Sequence, residues 1–186
     1  MVQRSCSCNV NRRFVTGSLL FSGLSTFPAP ATKAWARVTH ATARADDERF
    51  MRLALAEAAL GDFPFGAIIE QSGRVLAKGH NSGKTANDPT AHGEMVAIRR
   101  FVAARPASEL KGTTLYTSGE PCPMCMGAIL WCGIGRVVFA ASIEELATKI
   151  GQIMLTSRAV ADAAPFATIS ITGGVLSAEA LALFSK

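Results

Sequence analysis

Three residues with metal-binding side chains lie in two short motifs, Thr90-Ala91-His92-Gly93-Glu94 and Glu120-Pro121-Cys122-Pro123-Met124-Cys125. His92, Cys122 and Cys125 offer one imidazole and two thiolates, which are ligands that zinc accepts readily. Three protein ligands leave the fourth position of a tetrahedral site open, and a catalytic zinc keeps its water there. Glu94 is a carboxylate two residues beyond the histidine, available to move the protons of that water. The motifs therefore predict a catalytic zinc site with Glu94 as its acid–base residue.

The spacing of the two cysteines supports a metal more than a redox function. Cys122 and Cys125 are three apart, so on a helix their side chains point the same way, and Pro123 favours a helix start at that place. A redox C-x-x-C usually accompanies a thioredoxin-like strand pattern, whereas here an H-x-E lies upstream. For Glu94 the competing interpretation is a solvated helix residue, because positions two apart do not share a face of a regular helix.

A fourth protein ligand would make the site structural instead of catalytic. Cys132 lies seven residues beyond Cys125, which is about 10 Å along a continuous helix and too far to share one metal ion. His80 lies at the start of a polar loop and reaches the metal only if that loop folds back. We therefore predict an open site, with Cys132 as a packed thiol, His80 as an exposed residue at a strand end and Trp131 in the core.

Length and composition indicate one globular domain with an N-terminal extension. The chain has 186 residues, of which 49% are hydrophobic, and no apolar run reaches the roughly eighteen residues of a membrane span. The net charge of +5 arises in residues 1–45, which hold six basic and no acidic side chains. The remainder is close to −1 and lacks the basic footprint of most nucleic-acid enzymes, although a local patch stays open.

The N-terminal segment has the composition of a targeting leader. It begins with basic residues, continues with an apolar stretch over 14–24 and contains Ala34-Trp35-Ala36, which fits an A-x-A cleavage pattern. The pair Arg12-Arg13 resembles a twin-arginine export signal; a transit peptide or an over-extended start site are the alternatives. We predict a largely disordered leader over residues 1–45 and a folded domain over 46–186, with periplasm and cytoplasm both open as its location.

Strands and helices alternate after an initial hairpin, which predicts an α/β fold with a mixed sheet covered on both faces. The predicted strands are residues 65–70 and 74–78, joined by a turn at 71–73, followed by 113–117, 136–140 and 168–171. The predicted helices are residues 46–60, 91–104, 122–132 and 177–184, with a further helical region over 143–163.

The motifs resemble the cytidine/deoxycytidylate deaminase superfamily, in the branch that holds bacterial guanine deaminases and tRNA adenosine deaminases. The resemblance covers residues 48–184. The segments most similar to guanine deaminases are 87–92 (NDPTAH), 115–118 (LYTS), 120–125 (EPCPMC) and 127–131 (GAILW). Residues 134–139 (IGRVVF) are more similar to the tRNA enzymes, and Asn81 matches a base-contacting asparagine of both.

This resemblance implies a three-layer α/β/α fold with a five-stranded mixed sheet, one zinc ion per chain on His92, Cys122 and Cys125, and Glu94 as the proton shuttle. It also implies a homodimer. An Asn side chain suits the edge of a base because it offers a donor and an acceptor together, although Asn is also a common turn residue. We predict that the residues contacting the substrate are Phe65, Asn81, Ala91, Glu120 and Pro121.

The chain departs from both branches in two regions. Guanine deaminases carry an acidic residue in the region that corresponds to 149–154, which here reads KIGQIM, and the basic C-terminal helix of a tRNA enzyme is missing.

We expect zinc-dependent hydrolytic deamination of a purine base or nucleoside, guanine first. A tRNA wobble adenosine is the second candidate and a cytosine-type substrate the third. A catalytically idle, zinc-stabilised binding module is the alternative from another class.

Overall fold

The computed structural model describes residues 38–185, which form one six-stranded mixed sheet with helices on both faces. The strand order is β1-β6-β5-β4-β2-β3; β2 is antiparallel to both of its neighbours and the remaining pairs are parallel. The strands are β1 (Val38–His40), β2 (Gly66–Gln71), β3 (Arg74–His80), β4 (Thr114–Gly119), β5 (Arg136–Ala141) and β6 (Ile169–Thr172). The predicted α/β class is confirmed, but the expected five strands are six.

The additional strand, β1, lies within the segment predicted to be a leader. It pairs with β6 through Val38 opposite Ile169 and His40 opposite Ile171. No strand signal is visible in the sequence here, because β1 is only three residues long and has no clear alternation of apolar and polar side chains. It is recognisable as a strand only through its pairing with β6. The cleavage pattern, the arginine pair and Cys6 and Cys8 lie outside the described residues.

The sheet divides the core into two hydrophobic layers because successive strand side chains point to opposite faces. Ile69, Leu115 and Val137 face one layer, whereas Ile68 and Tyr116 face the other. The first layer is covered by α2 (Gly93–Ala104), α3 (Pro123–Trp131) and α5 (Ser157–Asp162). The second layer is covered by α1 (Asp47–Ala58), α4 (Ile143–Ala147) and α6 (Ser177–Ala182).

The region predicted as helical over 143–163 is interrupted. It contains the two short helices α4 and α5, with residues 148–156 between them outside any helix or strand. Ser142 caps α4 in a capping box with Glu145, in which each side chain accepts from the other residue's backbone N–H. Thr156 caps α5 by accepting from the N–H of Ala159. The second cap shows that a new helix begins there.

Two loops meet at one edge of the sheet. β3 and β4 run in the same direction, since β2 is antiparallel to both, so their carboxyl ends lie at the same edge. β3 is followed by the loop 81–92 that leads into α2, and β4 by Glu120-Pro121 and then α3.

In the part of the chain that the structure describes, no helix has the length and apolarity to cross a bilayer.

Candidate active site

His92, Cys122 and Cys125 come together at this edge. The Nδ1 atom of His92 lies 3.7 Å from the Sγ atom of Cys122 and 3.5 Å from that of Cys125, and all three ligand atoms lie within 4.8 Å of one another. A tetrahedral zinc bonded at about 2.0 Å to nitrogen and about 2.3 Å to sulfur separates N from S by about 3.5 Å. The donor atoms therefore fit a zinc ion.

Each ligand motif is placed by the start of a helix. His92 is the N-cap of α2 and Cys122 the N-cap of α3, and both have extended backbone conformations with ψ of 157° and 166°. Pro123 occupies the first turn of α3, where its missing N–H costs no hydrogen bond. Cys125 is the third residue of that helix, and the N-cap and third-residue side chains are neighbours. The predicted helices over 91–104 and 122–132 thus begin one to two residues later than expected.

The extended conformation of His92 also explains the position of Glu94. Because His92 lies outside the helix, the rule against a shared face at a spacing of two does not apply to this pair. Glu94 is only 6% exposed, and it lines the same cavity as His92 and Cys122. Burial raises the pKa of Glu94, and the charge of Cys122 adds to this effect, while a backbone hydrogen bond and the charge of His92 oppose it. A carboxyl group with a raised pKa beside a metal site is suited to exchange protons.

The two metal-binding thiols have pKa values shifted in opposite directions. The pKa of Cys122 falls to about 4, first because the Cys125 thiol donates a hydrogen bond to it and then because His92 does so. The pKa of Cys125 is raised because it is the donor in this pair and because it is buried. The hydrogen bond with Cys122 likewise raises the pKa of His92, against the effect of burial. Zinc binding requires both thiolates and the neutral imidazole, so it is coupled to proton release.

A cavity of about 480 Å³ opens above these side chains. Of the five residues predicted to contact the substrate, Phe65, Asn81 and Glu120 line it, whereas Ala91 and Pro121 are buried and are not among the lining residues. Asn81 is only 5% exposed and accepts a hydrogen bond from the N–H of Gly83 through Oδ1. The remaining lining residues are Phe63, Gly83, Lys84, Asn87, Pro89, His92, Glu94, Cys122, Ile150, Gly151 and Gln152.

Two groups of lining residues were not among the predicted substrate contacts. Lys84 and Asn87 belong to the polar loop after β3, and their sequence carried no signal beyond that of a turn. Asp62 holds this loop by accepting from the N–H groups of Lys84 and Thr85. Residues 150–152 were included in the helical region predicted over 143–163; the Thr156 cap is the signal that could have separated them from α5.

The alternative ligands lie away from the cluster. His80 is at the end of β3, where its Nδ1 atom lies 3.3 Å from a carboxylate oxygen of Glu57. Cys132 is the half-buried C-cap of α3. Trp131 is not in the core as predicted: it is 78% exposed and stacks on Phe166 with ring centroids 4.5 Å apart. Among the described residues, the only cluster of this kind is His92, Cys122 and Cys125.

Comparison with known proteins gives matches over the same segments. A family model of the cytidine and deoxycytidylate deaminase zinc-binding region matches residues 44–141. Guanine deaminase of Bacillus subtilis is 48% identical over 84 residues, which are 45% of this chain and 54% of the relative, so the chain spans about half of that protein. The tRNA-specific adenosine deaminase of Haemophilus influenzae is 38% identical over 138 residues, 72% of this chain and 78% of the relative.

A solved structure gives the same result for the fold. A tRNA:A34 deaminase, studied for A-to-I editing at the wobble position of transfer RNA, superimposes with a TM-score of 0.62 at 31% identity. The match covers 73% of this chain and 98% of that one. The similarity therefore extends well beyond the zinc motifs.

Proposed function

We propose that the chain, which belongs to the cytidine and deoxycytidylate deaminase family, is a zinc-dependent hydrolytic deaminase whose substrate is a purine base or nucleoside, with guanine first. The observation that carries the proposal is the buried carboxylate of Glu94 beside the His92, Cys122 and Cys125 cluster at one cavity. Water attacks the amino-bearing ring carbon, the carbon–nitrogen bond breaks, and the products are the carbonyl compound and ammonia.

In the proposed mechanism His92, Cys122 and Cys125 would hold the zinc ion, which, when bound, supplies a water nucleophile that is activated at neutral pH. Glu94 accepts a proton from the attacking water and transfers it to the ring nitrogen beside the reacting carbon. Glu94 then takes the second proton from the hydroxyl group now on that carbon and passes it to the leaving amine, so that the carbonyl forms as ammonia departs. Asn81 orients the base, because the amide of a nearly buried side chain can both donate to and accept from a ring edge.

Guanine ranks first because the 48% identity to a guanine deaminase exceeds the 38% identity to the tRNA-specific enzyme. Among the described residues that line the cavity, only Lys84 is a lysine or arginine, which supports a small neutral substrate. A tRNA wobble adenosine is the second candidate. It is supported by the longer alignment to the tRNA-specific enzyme, which covers 78% of that relative.

A homodimer is also part of the proposal, and light scattering of the purified chain tests it.

The test is ammonia release by the zinc-loaded chain with guanine, guanosine, adenine, cytosine and a tRNA anticodon stem-loop in parallel. We expect turnover of guanine or guanosine that Glu94→Gln abolishes while zinc content stays at one per chain. Turnover of the stem-loop alone would reverse the order of the two substrates. Near-normal rates in Glu94→Gln would refute the mechanism, and silence across the panel with zinc bound would favour a binding module.

A further inference from the structure

Glu120 connects the strand end beside Cys122 to the first residues of the two helices that flank one cavity wall, and we propose that it is a positioning residue that sets substrate affinity through that wall. We define the wall segment as residues 148–156, between α4 and α5. The inference rests on the proposed function for its kinetic readout. The sequence predicted that Glu120 contacts the substrate; the contacts of its carboxylate favour an indirect role.

The Glu120 carboxylate, which is buried, makes three hydrogen bonds. Its Oε2 atom accepts from the N–H of Ile143, the first residue of α4, at 3.0 Å. Its Oε1 atom accepts from both the N–H and the Oγ–H of Ser157, the first residue of α5, at 2.8 and 2.7 Å. Both oxygens are therefore engaged within the protein, and they join the starts of the two helices that flank the wall segment.

Beyond its first three residues, whose N–H groups donate to the oxygens of Glu145 and Leu146, the wall segment has little else to hold it. Its residues Ile150, Gly151 and Gln152 line the cavity. Among residues 151–155 of the described chain, the one backbone hydrogen bond runs from the N–H of Leu155 to the oxygen of Ile153. Ile153, Met154 and Leu155 are exposed, so their side chains do not anchor the segment. The position of the wall therefore depends on the two flanking helices, whose first residues Glu120 holds.

Glu120 is itself fixed on the metal side of the cavity. It precedes the ligand Cys122 by two residues, and its N–H donates to the oxygen of Ala141 at 2.7 Å, which extends the pairing of β4 with β5. One residue thus links the strand end beside the ligand Cys122 to the helices that flank the wall segment with Gln152. A small displacement of that wall would weaken substrate binding and leave the chemistry at Glu94 unchanged.

The experiment compares Glu120→Gln with the matched variant Glu145→Gln in the zinc-loaded full chain. The first substitution places an NH₂ group against one of the N–H donors, whereas the second weakens the α4 capping box and leaves the Glu120 contacts intact. In Glu120→Gln we expect about tenfold faster hydrogen exchange over residues 148–156 and about tenfold higher KM for the panel substrate that is turned over. We expect kcat within about threefold and one zinc per chain. Ser157→Ala, which removes one of the three bonds, should give a smaller change in the same direction.

Other outcomes would overturn the proposal. Loss of zinc, or a fall in kcat at unchanged KM, would place Glu120 in the metal site or the chemistry. A raised KM with unchanged exchange would indicate direct substrate contact, and equal effects of Glu145→Gln would indicate general loosening of α4. If Glu120→Gln does not fold, the test rests on Ser157→Ala. An unchanged KM together with unchanged hydrogen exchange in Ser157→Ala would then refute the proposal. Hydrogen exchange is measured without substrate, so it tests the contacts of Glu120 even if the native chain has no deaminase activity. Failure of the proposed function is thereby distinguished from failure of this inference.

Discussion

Asp47 and Arg136 form a bidentate ion pair across 89 positions of the chain, with both nitrogen–oxygen distances at 2.7 Å. Both side chains are almost completely buried. Asp47 also accepts from the O–H of Tyr116 and the N–H of Arg44, and Arg136 donates to Thr172. The pair joins the first turn of α1 to the first residue of β5 and so fixes the helix layer opposite α2 and α3.

Asp47→Asn should destabilise the chain by about 3–5 kcal/mol, because it leaves the Arg136 guanidinium buried without its counter-charge. The measurement is the free energy of unfolding from urea denaturation at pH 7. Asp162→Asn is the matched control, since it removes the same charge from the exposed i,i+4 pair with Arg158 and should cost at most about 1 kcal/mol. Similar losses in the two variants would contradict the importance of the buried pair.

The effect of Asp47→Asn should depend on pH. Burial raises the pKa of Asp47, but hydrogen bonds from Arg136, the Arg44 N–H and Tyr116, with the charge of Arg136, outweigh it and leave the pKa lowered. The unfolded chain, with a pKa of about 3.9 for Asp, therefore takes up the proton first. The contribution is complete above that value and is lost as pH falls through the folded value. The difference between native and variant unfolding free energies should therefore shrink when measured from pH 7 to pH 3.

The ion pair illustrates what the sequence could not predict. Asp47 was recognisable only as an acidic residue in the first turn of a helix, because nothing local identifies a partner 89 residues away. The zinc ligands were predictable since their spacing is local: each motif is a helix cap, and Pro123 marks one of the two starts. For the same reason, the bounds of most strands and helices differ from the prediction by no more than two residues.

The failures have a common physical cause. Trp131 was assigned to the core from its apolar side chain, yet it is exposed, since periodicity alone does not show which face of α3 meets another element. The wall segment 148–156 was included in the helical region predicted over 143–163. Its interruption depends on tertiary contacts that the sequence does not show, since Glu120 holds the starts of both α4 and α5, and the Thr156 cap marks it locally.

Cys125→Ser should abolish stoichiometric zinc binding, whereas Cys132→Ser should retain one zinc per chain. The reason is geometric: Cys125 belongs to the cluster of three ligand atoms, and Cys132 is the C-cap at the other end of α3. Zinc content after dialysis, measured by inductively coupled plasma mass spectrometry, distinguishes the two. Equal loss of zinc in both variants would show that the site has a fourth protein ligand.

Gly79→Ala should destabilise the chain by about 1–3 kcal/mol, because β3 and α2 approach too closely for a side chain. A Cβ atom on Gly79 would lie 2.4 Å from the nitrogen of Ala97 and from the oxygen of Gly93. Since α2 carries Glu94 and begins after His92, zinc affinity should also fall. Gly127→Ala in α3 is the control, as its Cβ would meet no atom within 4 Å and should stabilise the helix by about 0.5–1 kcal/mol. Thermal unfolding with zinc titration measures both effects.

A chain that begins at Arg37 should be stable, whereas a chain that begins at Asp46 should be less so and prone to aggregate. The predicted boundary at residue 46 would remove β1, and with it the pairing to β6 and the hydrogen bond from the Ala41 N–H to the Ile171 oxygen. The Thr172 hydroxyl would lose the Ala41 oxygen to which it donates while still accepting from the buried Arg136.

Removal of β1 would also turn β6 into an edge strand with unpaired N–H and C=O groups, which favours pairing between chains. Urea midpoints and light scattering of the two shortened chains, both loaded with zinc, test this. We expect a lower midpoint and larger particles for the chain from Asp46. Zinc content should not change, because the ligands follow β3 and β4, which are not neighbours of β1 in the sheet. Equal midpoints would show that β1 adds nothing to the domain and that the boundary at residue 46 is correct.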